Sequence, residues 1–261
     1  MNTTSMTAAR GTLNASRRLD LGGERVTAEV VSDVRDLYLD GPAIVVNTGM
    51  TDALAGESPR KPIPPLSSSL LSDTHVARAD TLVVLRTAAG DGSAAGITGE
   101  PGWSLLGDLL EDGADTTGGR PFDRSTPLWK GPQETVGRVR LDPAHLLRET
   151  PEPAREDLFE VRVNLWFAPA GTDCFIHNRH DFIEVHTQVS GHGRMQKFRE
   201  QDHRTLYEDV PMSPGYTTPD PFCAPRPDGS FHYPWHQYRA DTDCVWLAVE
   251  YHRVAPSTDE R

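Results

Sequence analysis

The sequence predicts an all-β fold, either a barrel or a sandwich, and two observations carry that prediction. Short runs of β-favouring residues recur along the chain, most clearly at residues 161–167, 182–189 and 244–251. Between such runs the chain is rich in turn residues, with 22 glycines and 21 prolines among its 261 residues. Short strands separated by frequent turns are typical of β-barrels and β-sandwiches.

The beginning of the chain is expected to contain a disordered segment followed by strands. Residues 1–24 are rich in Thr, Ser and Arg, and we expect them to be disordered. Runs of β-branched residues predict strands at 26–31, 43–46 and 81–86, and the stretch from Asp33 to Asp40 fits a short helix.

Loops and short elements are expected in the rest of the N-terminal half. Proline, serine and glycine predict surface loops at residues 50–74 and 111–135. Residues 103–110 have apolar side chains four apart, which fits a helix, although two strands are the alternative. Residues 138–141 predict a strand, and residues 142–147 fit a short helix.

The region from residue 25 to residue 150 is predicted to be β-rich and to lack a metal site. It contains only two histidines, His75 and His145. It is large enough for a degenerate second barrel, and the alternative is that its strands extend the barrel formed by residues 151–256. No clear internal repeat separates these two possibilities.

Histidines are concentrated in the C-terminal half, where seven of the ten lie between His177 and His236. Side chains alternate across a strand, so a strand through residues 182–189 would place its even-numbered side chains on one face. With the preceding His180, that face carries His180, Phe182, Glu184, His186 and Gln188. Imidazoles together with a carboxylate suit divalent first-row metals, so this face is predicted to line a metal-binding cavity.

The spacing of these residues resembles the first signature motif of the cupin superfamily. Five residues separate Gly171 from His177, three separate His180 from Glu184, and six separate Glu184 from Gly191. The histidine pair of the family is here His177-Asn178-Arg179-His180. Strict alternation would place Asn178 beside His180, whereas a β-bulge would bring in His177, so the first ligand is open between the two.

The second cupin motif is altered in this chain. Pro214-Gly215 supplies its turn, but Thr218 stands where the family's histidine is expected. We therefore interpret residues 216–231 as an insertion and His236 as the displaced ligand, with His232 in reserve. The resemblance covers roughly residues 155–255, and it implies a metal-binding jelly-roll barrel.

The resemblance implies a divalent metal held by His177, His180, Glu184 and His236. Fe(II) ranks first, ahead of Zn, Ni and Mn. His186 and Gln188 are the expected catalytic groups, which would orient ligands or move protons.

Five further residues are candidates for binding a small-molecule substrate. An arginine suits a carboxylate or phosphate, and aromatic side chains suit an organic pocket. The candidates are Arg162, Asn164, Trp166, Arg194 and Tyr238.

Three functions of different class fit these features. The first is a mononuclear non-haem iron oxygenase, a dioxygenase or hydroxylase, that acts on a small organic acid or an amino-acid-like molecule. The second is a redox-silent isomerase or lyase in which the same ion polarises a carbonyl. The third is a cupin that binds a ligand without turnover.

Composition limits the partners of the chain. A formal net charge of −12 argues against binding to nucleic acid. No apolar run is long enough to cross a bilayer and the first 24 residues lack the apolar core of a signal peptide, so a cytoplasmic location is expected. Three cysteines form no disulfide framework. The sequence leaves the choice between a monomer and a homodimer open.

Overall fold

The computed structural model describes residues 12–88, 94, 96–110, 120–143, 156–218, 223–226 and 228–255. Over these residues the chain is almost entirely β-structure, which confirms the all-β prediction. One turn of α-helix, α1, spans Leu106–Leu109, and 3-10 turns lie at Ile97–Gly99 and His203–Thr205. None of the described helices is long and apolar enough to span a membrane.

The described strands are numbered in chain order. They are β1 (Ala15–Leu19), β2 (Val26–Asn47), β3 (Ala53–Ala55), β4 (Lys61–Ile63), β5 (Ser68–Thr87), β6 (Ser104–Leu105), β7 (Trp129–Leu141), β8 (Asp157–Ala168), β9 (Ile183–Ser190), β10 (Gly193–Phe198), β11 (Leu206–Met212), β12 (Ala224–Pro225), β13 (Phe231–His232), β14 (Trp235–Ala240) and β15 (Cys244–Arg253).

The N-terminal strands form a sheet in the order β1-β2-β5-β3-β4. Its two long strands fold back on themselves, because Ile44 of β2 pairs with both Leu85 and Leu70 of β5. β2 also runs through the stretch that was predicted to be helical, so that prediction is wrong. Asp33 and Asp36 have φ values of 51° and 48° there, a left-handed conformation that Asp tolerates and that bends the strand without starting a helix.

Several other N-terminal predictions differ from the structure. Residues 15–19 are ordered as β1, because they pair with Ala28–Ser32 along β2, whereas residues 1–11 lie outside the described part. The predicted loop at 50–74 contains β3, β4 and the start of β5. Residues 103–110 combine both alternatives, since β6 is followed directly by α1. Most of the predicted helix at 142–147 lies within residues 144–155, which the structure does not describe.

The C-terminal half forms a barrel from two facing sheets. One has the order β6-β7-β8-β15-β9 and the other the order β11-β10-β14. Met195 and Tyr238 from the small sheet pack against Trp246 and Cys244 from the large sheet. The large sheet includes β6 and β7, so this unit begins at Ser104, before the predicted boundary at residue 151.

The N-terminal sheet has apolar side chains on both faces. One face, with Val30, Val46 and Leu85, packs against Val163 and Leu247 on the outer face of the large C-terminal sheet. The other face has a core of its own, which includes Val34, Val45, Ile63, Val76 and Val84. The N-terminal strands therefore form a separate sheet with its own core and do not extend the barrel that contains the histidines.

Candidate metal centre

Three histidines converge at one end of the C-terminal barrel. The Nε2 atoms of His177 and His180 lie 2.9 Å apart, and those of His180 and His236 lie 3.1 Å apart. Neighbouring ligands around an octahedral ion with metal–nitrogen bonds of about 2.1 Å would be separated by about 3.0 Å. The spacing of the three nitrogens is therefore that of a group that could hold one metal ion.

Backbone carbonyls fix the orientation of two of these rings. The Nδ1 atom of His177 lies 3.0 Å from the carbonyl oxygen of Phe175, and that of His236 lies 2.9 Å from the carbonyl oxygen of Pro234. A carbonyl only accepts, so each Nδ1 carries the proton and each Nε2 presents a lone pair. Metal-binding histidines commonly have such a hydrogen bond behind the ligating nitrogen.

The chemistry of this donor set fits a cation. His180 Nε2 can donate a proton to only one neighbour, so at least one close Nε2–Nε2 contact contains no hydrogen bond. Burial lowers the pKa of His177, lowers that of His236 well below its ordinary value, and lowers that of His180 to about 4. Neutral imidazoles are the form that binds metals, and an ion would bind the Nε2 lone pair that no proton reaches.

The backbone around Phe175 explains why His177 enters the site. His177 and His236 face each other in an isolated β-bridge, with N–H···O distances of 3.0 and 2.8 Å. Phe175 has a φ of 102°, which reverses the chain just before this bridge and aims its carbonyl at the His177 ring. His177 thus takes the position that strict alternation would have given to Asn178, which lines the same cavity.

Glu184 lies beside the three histidines and is paired with His186. Its Oε2 atom is 3.7 Å from His180 Nε2, and its Oε1 atom is 3.0 Å from His186 Nε2. Burial raises the pKa of Glu184, but His186 and His180 outweigh that effect and lower it to about 2. Glu184 is therefore a carboxylate at neutral pH, and only its Oε2 atom remains directed towards the histidine group.

The histidines line a cavity of about 570 Å³ between the two sheets of the barrel. This is the size range of sites for small organic molecules. Apolar side chains form one wall, including Leu106, Phe122, Leu128 and Phe175. Phe175 also stacks on the His177 ring, with 6.1 Å between centroids and 6° between planes.

The structure brings some of the predicted substrate residues into the cavity and leaves others out. Trp166 and Tyr238 line it, and the Tyr238 ring lies 4.1 Å from the His186 ring, measured between centroids. Asn164 is fully buried beneath the cavity floor, where its amide can donate to Glu250 Oε1 at 3.1 Å and accept from Trp166 Nε1 at 2.7 Å.

Both predicted arginines are outside the cavity lining, because each is held by acidic neighbours. Arg162 binds Glu160 at 2.6 Å. Arg194 binds Asp209 at 2.8 Å and Asp241 at 2.7 Å.

Two further predicted residues also lie away from the cavity. Gln188 is buried, and its Nε2 atom donates to the carbonyl oxygen of Ser190 at 2.7 Å. His232, the reserve ligand, lies 2.9 Å from an Arg226 nitrogen on the exposed side of β13. His236 is the residue that joins the histidine group.

A second polar group lines the cavity and was missed by the sequence analysis. The buried carboxylate of Glu250 accepts from Gln133 Nε2 at 2.9 Å and contacts His252 Nε2 at 2.7 Å. Lys130 and Trp246 line the same floor. Glu250 is the one acidic residue in the apolar run 244–251, and that isolated charge was the signal that could have found it.

When the chain is compared with known proteins, only solved structures match it. No family model matches the chain, and none of the curated proteins does. Among solved structures, the chain is similar to a cupin 2 conserved barrel domain protein from Leptotrichia buccalis, with 9% identity over 90% of this chain and 88% of that one and a TM-score of 0.25. It is also similar to a mutant of oxalate decarboxylase from Bacillus subtilis, with 12% identity over 97% and 78% of the two chains and a TM-score of 0.26.

A third match is the ectoine synthase from P. lautus, with 17% identity over 52% of this chain and 83% of that one and a TM-score of 0.26. These three matches have identities of 9–17% and TM-scores of 0.25–0.26. The chemistry of the site is therefore inferred from its own side chains.

Proposed function

We propose that this chain is a metal-dependent enzyme, a mononuclear non-haem iron oxygenase that acts on a small organic acid or an amino-acid-like molecule. The observation that carries the proposal is the trio of His177, His180 and His236, whose Nε2 atoms meet at 2.9 and 3.1 Å on the wall of a cavity large enough for an organic substrate.

The three histidines would hold the ion, and Glu184 would complete the ligand set through Oε2. The hydrogen bond from His186 occupies Oε1 and so fixes the carboxylate with its other oxygen towards His180. When bound, iron would supply free coordination positions for the substrate and for dioxygen. The apolar wall of Leu106, Phe122 and Leu128 would exclude water around them.

His186 is the residue proposed to move a proton. Its Nε2 atom donates to Glu184, so Nδ1 has the lone pair, and Nδ1 is buried without a hydrogen-bond partner among the described residues. The ring lines the cavity and lies against Tyr238, with the two ring planes tilted by 35°. A substrate proton that reaches Nδ1 would be accepted there, and the Glu184 carboxylate would stabilise the resulting imidazolium.

The same pair supports a second candidate function, a redox-silent isomerase or lyase. Such an enzyme needs a fixed proton acceptor beside a polarised carbonyl, and Nδ1 of His186 meets that requirement without dioxygen. A cupin that binds a ligand without turnover would not require this acceptor.

Oxygen uptake separates these functions. The full chain, purified without a histidine tag and loaded with Fe(II), would be given a panel of small carboxylic and amino acids in an oxygen electrode. We expect oxygen uptake that depends on one of these compounds and is lost in His180→Ala. Turnover under anaerobic conditions with zinc or nickel would instead identify the isomerase or lyase, and no turnover under either condition would refute both.

A further inference from the structure

Lys130 lies on the inner face of the barrel and has no ion-pair partner in the part of the chain that the structure describes. Its Nζ atom lies over the ring of Trp166, 5.3 Å from the centroid, and the residue lines the cavity. No carboxylate among the described residues forms an ion pair with it, although the chain has a net charge of −12. Glu250, an acidic residue that lines the same cavity, is already bound by Gln133 and His252.

A second unsatisfied donor lies in the same row of the sheet. Lys130 pairs with Trp166 across β7 and β8, and Trp166 pairs with Trp246 across β8 and β15. Trp246 is 1% exposed and lines the cavity, and its indole N–H has no acceptor among the described residues. A buried donor without a partner is unfavourable, and Lys130 adds a positive charge beside it, so the two donors together favour an acceptor with negative charge.

Trp166 itself does not compete for that acceptor. Its own indole N–H can donate to Asn164 at 2.7 Å, and its ring face supports the Lys130 ammonium by a cation–π contact. Trp166 therefore supports the Lys130 ammonium, and in the sheet register it lies between Lys130 on β7 and Trp246 on β15.

Lys130 and the histidine group lie towards different edges of the large sheet. Lys130 is on β7, and His180 comes just before β9, which is an edge strand. β8 and β15 separate β7 from β9, so at a strand spacing of about 4.8 Å the two backbones are roughly 14 Å apart along the sheet. The apolar wall of Leu106, Phe122, Leu128 and Phe175 lies along the same cavity. A ligand that reaches both sides must be longer than a two- or three-carbon acid and must have an apolar body.

We propose that Lys130 and the Trp246 indole N–H form a carboxylate-binding subsite, and that the substrates of this cavity are monocarboxylic acids with an apolar body. The carboxylate binds on the Lys130 side, the apolar body packs along the wall, and the reactive end faces the histidines. The last point rests on the proposed function, whereas the anion subsite does not depend on a metal.

Calorimetry with two isosteric probes tests this subsite. Phenylacetate and phenylacetamide have the same shape, but only the first is an anion. Both would be titrated into the full chain as purified and again after chelation, with the metal content recorded for each sample. We expect phenylacetate to bind about tenfold tighter or more than phenylacetamide, with or without metal.

Substitutions identify the group responsible. Lys130→Met should remove the preference for phenylacetate, because it should lower the affinity for phenylacetate about tenfold and leave the affinity for phenylacetamide unchanged. Lys130→Arg keeps the positive charge and should keep the preference. Lys61→Met, on an exposed edge strand of the N-terminal sheet, is the matched control and should behave as the unaltered chain. Circular dichroism checks that each variant is folded.

Three outcomes would overturn the subsite. They are equal affinity for the two probes, a preference that survives in Lys130→Met, and a preference that is lost instead in Arg179→Met at the exposed cavity mouth. If the chain binds phenylacetate through Lys130 but contains no metal under any condition, the metal-dependent function fails and the subsite stands. If it binds metal but does not distinguish the probes, the reverse holds.

Discussion

Lowering the pH from 7 to 5 should destabilise the metal-free protein through its buried histidines. Burial lowers the pKa of His180 from 6.5 to about 4, and it lowers the pKa of His177 and His236 as well. The unfolded chain therefore takes up protons at a higher pH than the folded chain does. The stability that these rings contribute is complete above about pH 6.5 and is lost as the pH falls towards the folded pKa values.

The size of the effect follows from the pKa of His180. Each pH unit between 6.5 and 4 costs about 1.4 kcal/mol for one such group, so His180 alone should remove about 2 kcal/mol between pH 7 and pH 5. His177 and His236 change stability in the same direction. Glu184 has a pKa of about 2, because the nearby histidines outweigh its burial, and it remains ionised over this range.

Urea unfolding of the chelated chain, followed by tryptophan fluorescence, measures this loss. In His180→Gln the difference between pH 7 and pH 5 should shrink by about 2 kcal/mol. His75→Gln, in the N-terminal sheet and half exposed, is the control and should leave the difference as it was. A free energy of unfolding that is equal at the two pH values, or an unchanged pH dependence in His180→Gln, would refute the reasoning.

Three further predictions concern the ligand set and the core. Glu184→Ala should lower metal affinity roughly 10- to 100-fold with the fold retained, and unchanged affinity in a metal titration would exclude Glu184 as a ligand. His177→Ala should lose roughly 100-fold or more in affinity while Asn178→Ala stays within about twofold, and the reverse order would show that Asn178 is the ligand. Leu247 is fully buried between the N-terminal sheet and the large C-terminal sheet, so Leu247→Ala should lower the free energy of unfolding by about 2–5 kcal/mol. Leu206 is exposed, and Leu206→Ala should lower it by about 0.5 kcal/mol or less. Similar losses in the two variants would contradict the packing described above.

Sequence pattern was enough to predict the fold class and the strands β8, β9 and β15 of the C-terminal barrel, but it did not predict the strands of the small sheet. The predicted strand at 182–189 is β9, Ile183–Ser190, and its alternation places Glu184 and His186 on the cavity wall as expected. Alternation does not say where the cavity ends along a strand. Gln188 has the right parity but lies beyond the cavity, so its inclusion among the catalytic groups was an error of position.

The choice of His177 over Asn178 depended on contacts that a sequence does not display. It follows from the left-handed φ of Phe175 and from the backbone bridge to His236, which joins segments far apart in the chain. Sheet register likewise determines which side chains an arginine contacts. Arg194 was predicted to face a substrate, but the register of β10 places it beside Asp209 and Asp241.

In the N-terminal half, local sequence pattern predicted a loop and a helix where the structure has strands. Prolines and serines at 50–74 predicted a loop, yet β3 and β4 pair there and the start of β5 joins the same sheet. Likewise, polar residues at Asp33–Asp40 suggested a helix because a bent strand has the same irregular alternation. In both places long-range pairing outweighed local preference.

The metal content of the chain tests the central claim most directly. Protein purified without a histidine tag, incubated with Fe(II), Zn, Mn or Ni and freed of excess ion, would be analysed by mass spectrometry for metals alongside His236→Ala. We expect about one ion per chain in the unaltered protein and a large loss in the variant, because three Nε2 atoms at this spacing could hold a single ion. Full occupancy in His236→Ala, or no bound metal in the unaltered chain with any of the four ions, would contradict the metal centre described here.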